Sequence, residues 1–131
     1  VPMPDAEAVV IGYLSGVLAG VTVASEWPED VAGHLPVVAV SRGGGAMVQR
    51  FVIDEPTIDI DVLAADKGAA HDLAQQVRAQ VFATENRTLT GAHIYRVDDV
   101  SLIWLPWQAA EGTTPIARYV LVMSLRVRPV S

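Results

Sequence analysis

The sequence predicts an α+β fold, a single mixed and mostly antiparallel β-sheet with two helices packed on one of its faces. Two observations carry this. The apolar residues recur at helical spacing in two stretches and alternate in several others, in the order helix, three or four strands, helix, three strands. That order suits a two-layer sandwich in which both helices cover the same side of one sheet. At Thr57 to Ala83, moreover, an alternating strand passes directly into an amphipathic helix, which fixes an α/β unit whose helix must fold back onto the sheet.

The first helix is expected from about Asp5 to Ala19. Pro4-Asp5-Ala6-Glu7 places a proline and two acids where unpaired amides favour them, and Val10, Leu14, Val17 and Leu18 keep helical spacing up to Gly20. Gly12 and Gly16 lie on one face of it, each less favourable than Ala by about 1 kcal/mol. Close packing on the sheet is the simpler explanation, and a close subunit contact is the alternative. Val21 to Ser25 alternates as a short strand closed by Trp27-Pro28, and Glu29 to Leu35 is polar enough for a loop or a helical turn. Pro36 to Ser41 is almost wholly apolar, so it is expected to be a central strand with proline admitted only as its first residue.

Arg42-Gly43-Gly44-Gly45 then predicts a flexible connection to the next apolar patch, Phe51-Val52-Ile53, and Asp54-Glu55-Pro56 predicts a turn. In the following strand Ile58, Ile60 and Val62 face one side, with Thr57, Asp59 and Asp61 on the other. Asp66 is placed to cap the second helix, which turns Ala70, Leu73, Ala74, Val77 and Val81 inward and His71, Asp72, Gln75, Gln76, Arg78 and Gln80 outward. Asn86 to Gly91 is a polar loop, Ala92 to Val97 and Val100 to Leu105 are two strands, and Pro106 to Pro115 is a loop. Ile116 to Val127 is the longest strand, with Ala117, Tyr119, Leu121, Met123, Leu125 and Val127 on one face. The face away from the helices would carry Asp59 and Asp61 beside Arg118, Arg126 and Arg128, and acid–base pairs across the strands are expected there.

Composition bounds the function. A chain of 131 residues fits one domain, 1–131. It has no cysteine, which removes disulfides, thiolate metal sites and thiol nucleophiles. A net charge of -6 opposes tight binding to nucleic-acid phosphates. Apolar residues make up 51% and charged residues 18%, a sparse charged surface for a free monomer, so self-association is expected. No apolar run reaches the length of a membrane span, and a secretory leader is not recognisable; a soluble cytoplasmic protein is expected, with Met3 its native start and Val1-Pro2 a remnant ahead of it.

No candidate chemistry outweighs its plainer reading. Asp54, Glu55, Asp59, Asp61 and Asp66 crowd the middle of the chain, and Asp59 and Asp61 sit on one strand face about 7 Å apart. No ligand-rich loop surrounds them, so they read as solvated or ion-paired strand residues. His34, His71 and His93 lack zinc-site spacing. Arg42 to Gly45 lacks the lysine and hydroxyl of a phosphate loop, Asn86-Arg87-Thr88 is a sequon without a secretory context, and no serine sits in a nucleophile elbow. No enzyme activity, cofactor or metal is expected. Trp104-Leu105-Pro106-Trp107 differs in kind: two large aromatics flank a proline at a strand end, which suits either core packing or an interface anchor.

Across nearly its full length the chain resembles the tail terminator, or tail completion, proteins of long-tailed bacteriophages. The resemblance lies in a first helix opening Pro-Asp-Ala-Glu and carrying Gly12-Tyr13-Leu14, and in a strand ending at Pro28. It continues through Leu35-Pro36-Val37-Val38-Ala39-Val40 running into Arg42 to Gly45, Asp54, the Ile58 to Ala64 strand, an Ala-rich helix with Ala69, Ala70 and Leu73, Gly91 before a strand, and Arg118-Tyr119 opening the last strand. It implies a virion protein at the head–tail interface: a ring, commonly a homohexamer, that caps the tail tube, stops its polymerisation and offers a surface to the head. Implied partners are copies of itself, the tail tube protein and a head completion or connector protein, with DNA passing through unbound and no membrane contact. A ring closed by head-to-tail contacts needs two different patches per subunit. The candidates are Arg42, Gly43, Gly44, Gly45, Met47 and Arg50 in one segment and Trp104, Trp107 and Glu111 in another. The alternatives are a neck or head completion protein of the same virion, a host cytoplasmic ligand-binding domain that dimerises through its sheet, and, remotely, a metal-dependent enzyme using Asp59 and Asp61.

Overall fold

In a computed structural model, which describes residues 2–130, the chain forms one six-stranded sheet and two helices. Val1, half of the dipeptide expected to precede the native start, lies outside the described residues. The elements in order are α1 (Ala6–Val17), β1 (Thr22–Ala24), a short 3-10 turn (Val31–Gly33), β2 (Val37–Gln49), β3 (Ile53–Ala64), α2 (Lys67–Phe82), β4 (Arg87–Leu89), β5 (Ala92–Trp104) and β6 (Ala117–Pro129). The strands lie in the order β1-β2-β3-β6-β5-β4, and only the β1–β2 pair is parallel. The mixed, mostly antiparallel sheet of an α+β fold is therefore present.

Both helices begin where the sequence places their caps. The Asp5 carboxylate accepts from the Ala8 amide at 3.2 Å and the Asp66 carboxylate from the Ala69 amide at 2.8 Å, each satisfying a first-turn donor that has no partner within the helix. From α1, Ala6, Val10 and Leu14 are buried, as is Leu18 at its C-cap, so of the four expected positions only Val17 is exposed. From α2, Ala70, Leu73, Ala74, Val77 and Val81 are buried. Both sets join one cluster with Val38 and Val40 of β2, Ile58, Ile60 and Val62 of β3, and Leu121, Met123, Leu125 and Val127 of β6. Those strand residues are spaced two apart, so they share one face of the sheet, here the inner face.

Asn86 to Gly91, expected as a polar loop, holds the short strand β4, which pairs with the start of β5, and three further expectations about the strands are overturned. The triple glycine is not a hinge: β2 runs through it, with Gly44 paired to Thr57 and Gly45 to Pro56, and Gly43 is the extra residue of a bulge. Asp54-Glu55-Pro56 is not a turn but the first part of β3. The turn lies instead at Gln49 to Val52, where the Val52 amide donates to the Gln49 carbonyl at 2.9 Å. The two strands expected at Ala92–Val97 and Val100–Leu105 are one strand, β5, which absorbs Asp98-Asp99 by shifting register between Asp99 and Ser101. In each case a polar or glycine-rich interruption that looks local is spanned by a continuous partner strand, β3 beside β2 and β6 beside β5.

The two glycines of α1 are also placed otherwise than expected. Gly12 and Gly16 are exposed, and a Cβ added to either would meet no atom within 4 Å. Close packing on the sheet does not account for them.

The outer face mixes polar residues with apolar ones, Ile103 of β5 being exposed there opposite the half-buried Val120 of β6, and it carries a small second core at one end. Val31, Val37 and Leu63 are buried there, with Trp27, Leu35, Trp107 and Ile116 packed against them. The expected pairs of Asp59 and Asp61 with Arg118, Arg126 and Arg128 do not form, because register sets Val122 opposite Asp59 and Val120 opposite Asp61. Asp61 instead accepts from the Trp27 indole at 3.0 Å, and Arg126 pairs with Glu55 at 2.6 Å. Arg118 lies over the Trp27 ring at 5.3 Å and Arg128 over Tyr95 at 5.7 Å.

Candidate functional site

The β2–β3 hairpin projects past the rest of the sheet. β1 covers only Val37 to Ala39 of β2, and β6 pairs with β3 no further down than Asp54, the partner of Met47, so residues 48–53 have only each other and no third strand. Every residue from Ser41 to Val52 is exposed. Four of them are large and apolar: Met47, Val48, Phe51 and Val52, with Phe51 the most exposed at 64%. Isolated apolar side chains on a surface are ordinary; these four lie together at the tip of one hairpin.

The root of the arm is fixed by charge. Arg42 lies on the inner face, and its guanidinium donates to both carboxylate oxygens of Asp54, at 2.6 and 3.0 Å, and to the carbonyls of Gly44 at 2.9 Å and Gly45 at 3.3 Å. Asp54 is only 3% exposed, so its charge is desolvated and needs this forked partner. The same hydrogen bond raises the Arg42 pKa above its ordinary value against the opposing effect of burial. A raised folded-state pKa contributes stability that is complete below the unfolded value and lost only in strong alkali, so the guanidinium holds its charge throughout the neutral range. The Arg42 amide donates to Glu7 at 3.1 Å, which ties the arm root to the first turn of α1. Gly45 is required in this arrangement: its φ is +90°, and a Cβ would run into the Glu55 carbonyl and Pro56. Gly44 has open space around it.

The residues singled out in the sequence fall into two groups at opposite ends of the sheet. Arg42, Gly43, Gly44, Gly45, Met47 and Arg50 all belong to the arm. Trp104, Trp107 and Glu111 lie at the other end, where Trp104 pairs with Tyr119 and Ala64 with Ala117. Both tryptophans are engaged inside the chain. Trp104 packs on Tyr119 with ring centroids 5.1 Å apart and holds the Lys67 ammonium 4.7 Å over its ring; Trp107 meets Trp27 edge-on at 5.0 Å. Glu111 is exposed in the loop between β5 and β6.

Of the apolar residues of the arm, Met47 was among the candidates, whereas Phe51 and Val52 were missed, because Phe51-Val52-Ile53 reads as an apolar patch beyond a flexible connection rather than as the tip of a hairpin. Sequence reasoning also missed a cleft of about 490 Å³ at the arm's end of the sheet. The cleft lies between the N-terminal segment Pro2 to Pro4 with the start of α1, including Asp5, Ala8, Val9 and Gly12, and the β4–β5 turn at Gly91 with Val130 beside it. The exposed Gly12 was the available signal. Among the described residues no three His, Asp or Glu side chains are grouped as a metal site, and no helix is long and apolar enough to cross a membrane.

A family model described as phage tail termination protein matches residues 2–103 of the chain. No curated protein matches it.

Proposed function

Since the chain belongs to the phage tail termination protein family, and is thereby a structural protein of the phage tail, we propose that it assembles into a ring that caps the tail tube. In that role it stops further addition of tube subunits and presents a surface to the head. The ring is a homo-oligomer, a hexamer by the resemblance set out above, with no catalytic step. Its partners are the tube protein on one side and a head completion or connector protein on the other.

The observation that carries this reading is the arm. A subunit that worked alone would gain nothing by holding Met47, Val48, Phe51 and Val52 in water at the end of a hairpin whose root is clamped by a desolvated ion pair. A subunit that must grip a neighbour needs such a projection. The opposite end, with the loop from Trp107 to Thr114, offers a separate surface for an axial partner, since the tryptophans are braced from within and hold its base in place. An acidic chain is also suited to surround DNA without holding it, because retention requires several phosphates to be neutralised at once.

Deletion of the gene from a phage that encodes it tests the reading. Tails of uncontrolled, excessive length and unjoined heads are expected in electron micrographs, whereas tails of normal length on joined particles would rule the role out. Light scattering of the purified protein is expected to give a mass several times that of one chain.

A further inference from the structure

We propose that the arm tip of one copy seats in the α1 cleft of the next, with Phe51 and Met47 in the apolar cavity and Arg50 against Asp5. The contact rests on the ring reading and names the two surfaces that close the ring. Four features of the chain support it.

The tip is built against local preference. Phe51 has φ 57°, in the left-handed region, where an L side chain is disfavoured by about 1–2 kcal/mol. Glycine or asparagine would close the same turn without that strain, so an aromatic residue that is 64% exposed there serves something other than folding. The cleft shows a matching departure. Gly12 stands in the middle of α1, exposed and with open space where a Cβ would lie, a choice about 1 kcal/mol less favourable than Ala for the helix. A side chain at that position would narrow the cleft. A single contact between copies accounts for both departures, whereas Gly16, equally exposed and with the same open space, lies outside the cleft and is not explained by it.

Size and charge agree. A cleft of about 490 Å³ takes an aromatic ring with room to spare, since a closed cavity of about 150 Å³ already holds benzene. Arg50 is the sole charged residue between Arg42 and Asp54, and Asp5 is the charged residue lining the cleft. Asp5 is exposed and uses Oδ1 to cap the helix. The Arg50 guanidinium lies 5.6 Å over the Phe51 ring, so cation and ring are presented together.

Topology decides the direction. Arm and cleft are different patches, so the contact is head-to-tail, and both lie at the same end of the sheet, so successive copies sit side by side and can close. A smaller apolar cleft of about 310 Å³, near Leu35 and the start of α2, lies at the opposite end. Seating the arm there would stack copies into an open filament.

The absence of cysteine makes the contact testable by crosslinking. Val52 and Thr90 are exposed, at the tip and at the cleft rim. Val52→Cys and Thr90→Cys chains, tagged to differ in size, are mixed and treated with a short bis-maleimide. Crosslinked heterodimers are expected, together with a ladder of higher oligomers from the double variant, and adding Phe51→Ser should reduce crosslinking at least tenfold. Absence of heterodimers from the single variants, crosslinks confined to one chain in the double variant, or heterodimers formed with Ala69→Cys at the opposite end in place of Thr90→Cys would overturn the proposal. Gly12→Leu supplies a second readout. It should raise the unfolding temperature of the unassembled chain while weakening association, and unchanged association would count against the contact. Failure of the unaltered protein to associate at any concentration refutes the ring itself, whereas normal association of Phe51→Ser refutes only the arm-to-cleft contact.

Discussion

Arg42–Asp54 and Arg126–Glu55 are both 2.6 Å ion pairs, and replacing either arginine by alanine removes one at the same separation. Their surroundings differ: the Asp54 side chain is 5% exposed and that of Arg42 35%, against 37% for Glu55 and 42% for Arg126. Removing one partner of a fully buried pair costs about 3–5 kcal/mol, because a desolvated charge is left behind. Arg42 is partly solvated, which screens the pair, but its loss also frees the Gly44 and Gly45 carbonyls. The expected cost of Arg42→Ala is therefore about 2–3 kcal/mol, and that of Arg126→Ala below about 1 kcal/mol. For a chain of this length about 1 kcal/mol moves the melting temperature by roughly 3–5 °C. Arg42→Ala should thus fall by about 10 °C and Arg126→Ala by no more than about 4 °C, in thermal scans at matched protein concentration, because self-association raises apparent stability. Adding Asp54→Asn to Arg42→Ala should recover part of the loss, since the stranded charge is gone. Equal effects of the two arginine replacements would refute the premise that burial, not separation, sets the worth of these pairs.

Other substitutions test the local reasoning. Gly45→Ala should cost at least about 2 kcal/mol by urea unfolding, because φ is +90° and the Cβ meets backbone. Gly44→Ala, with open space around it, should fall within about 0.5 kcal/mol of the unaltered chain, and a large loss there would revive a hinge. Asp66→Ala removes the 2.8 Å cap of α2 and is expected to lower stability by about 1 kcal/mol, with Asp66→Ser close to neutral. Gly16→Ala should stabilise the unassembled chain by up to about 1 kcal/mol in the same assay, and a loss would mean that the helix packs more closely than its exposure indicates.

What the sequence determined by itself is what depends on near neighbours in the chain. Asp5 and Asp66 cap their helices because a carboxylate at that position reaches amides three residues on. Ile58, Ile60 and Val62, and Tyr119 to Val127, face the helices because alternation fixes the side of a strand on which each residue falls. The family, too, was legible as a spacing of such elements. Tertiary structure decided whatever depends on a distant partner. Arg42 to Gly45 and Asp54 to Pro56 each look like breaks, yet together they form one hairpin, because each supplies the other's backbone hydrogen bonds and Arg42 neutralises Asp54 across the pair. Gly12 looks like a packing glycine until the fold leaves it facing a cleft. Trp27 and Trp107, 80 residues apart in number, meet only because Val37 and Leu63 pair in neighbouring strands and put a second apolar floor on the outer face. Periodicity assigns a residue to a face; only strand pairing and helix docking determine what that face meets.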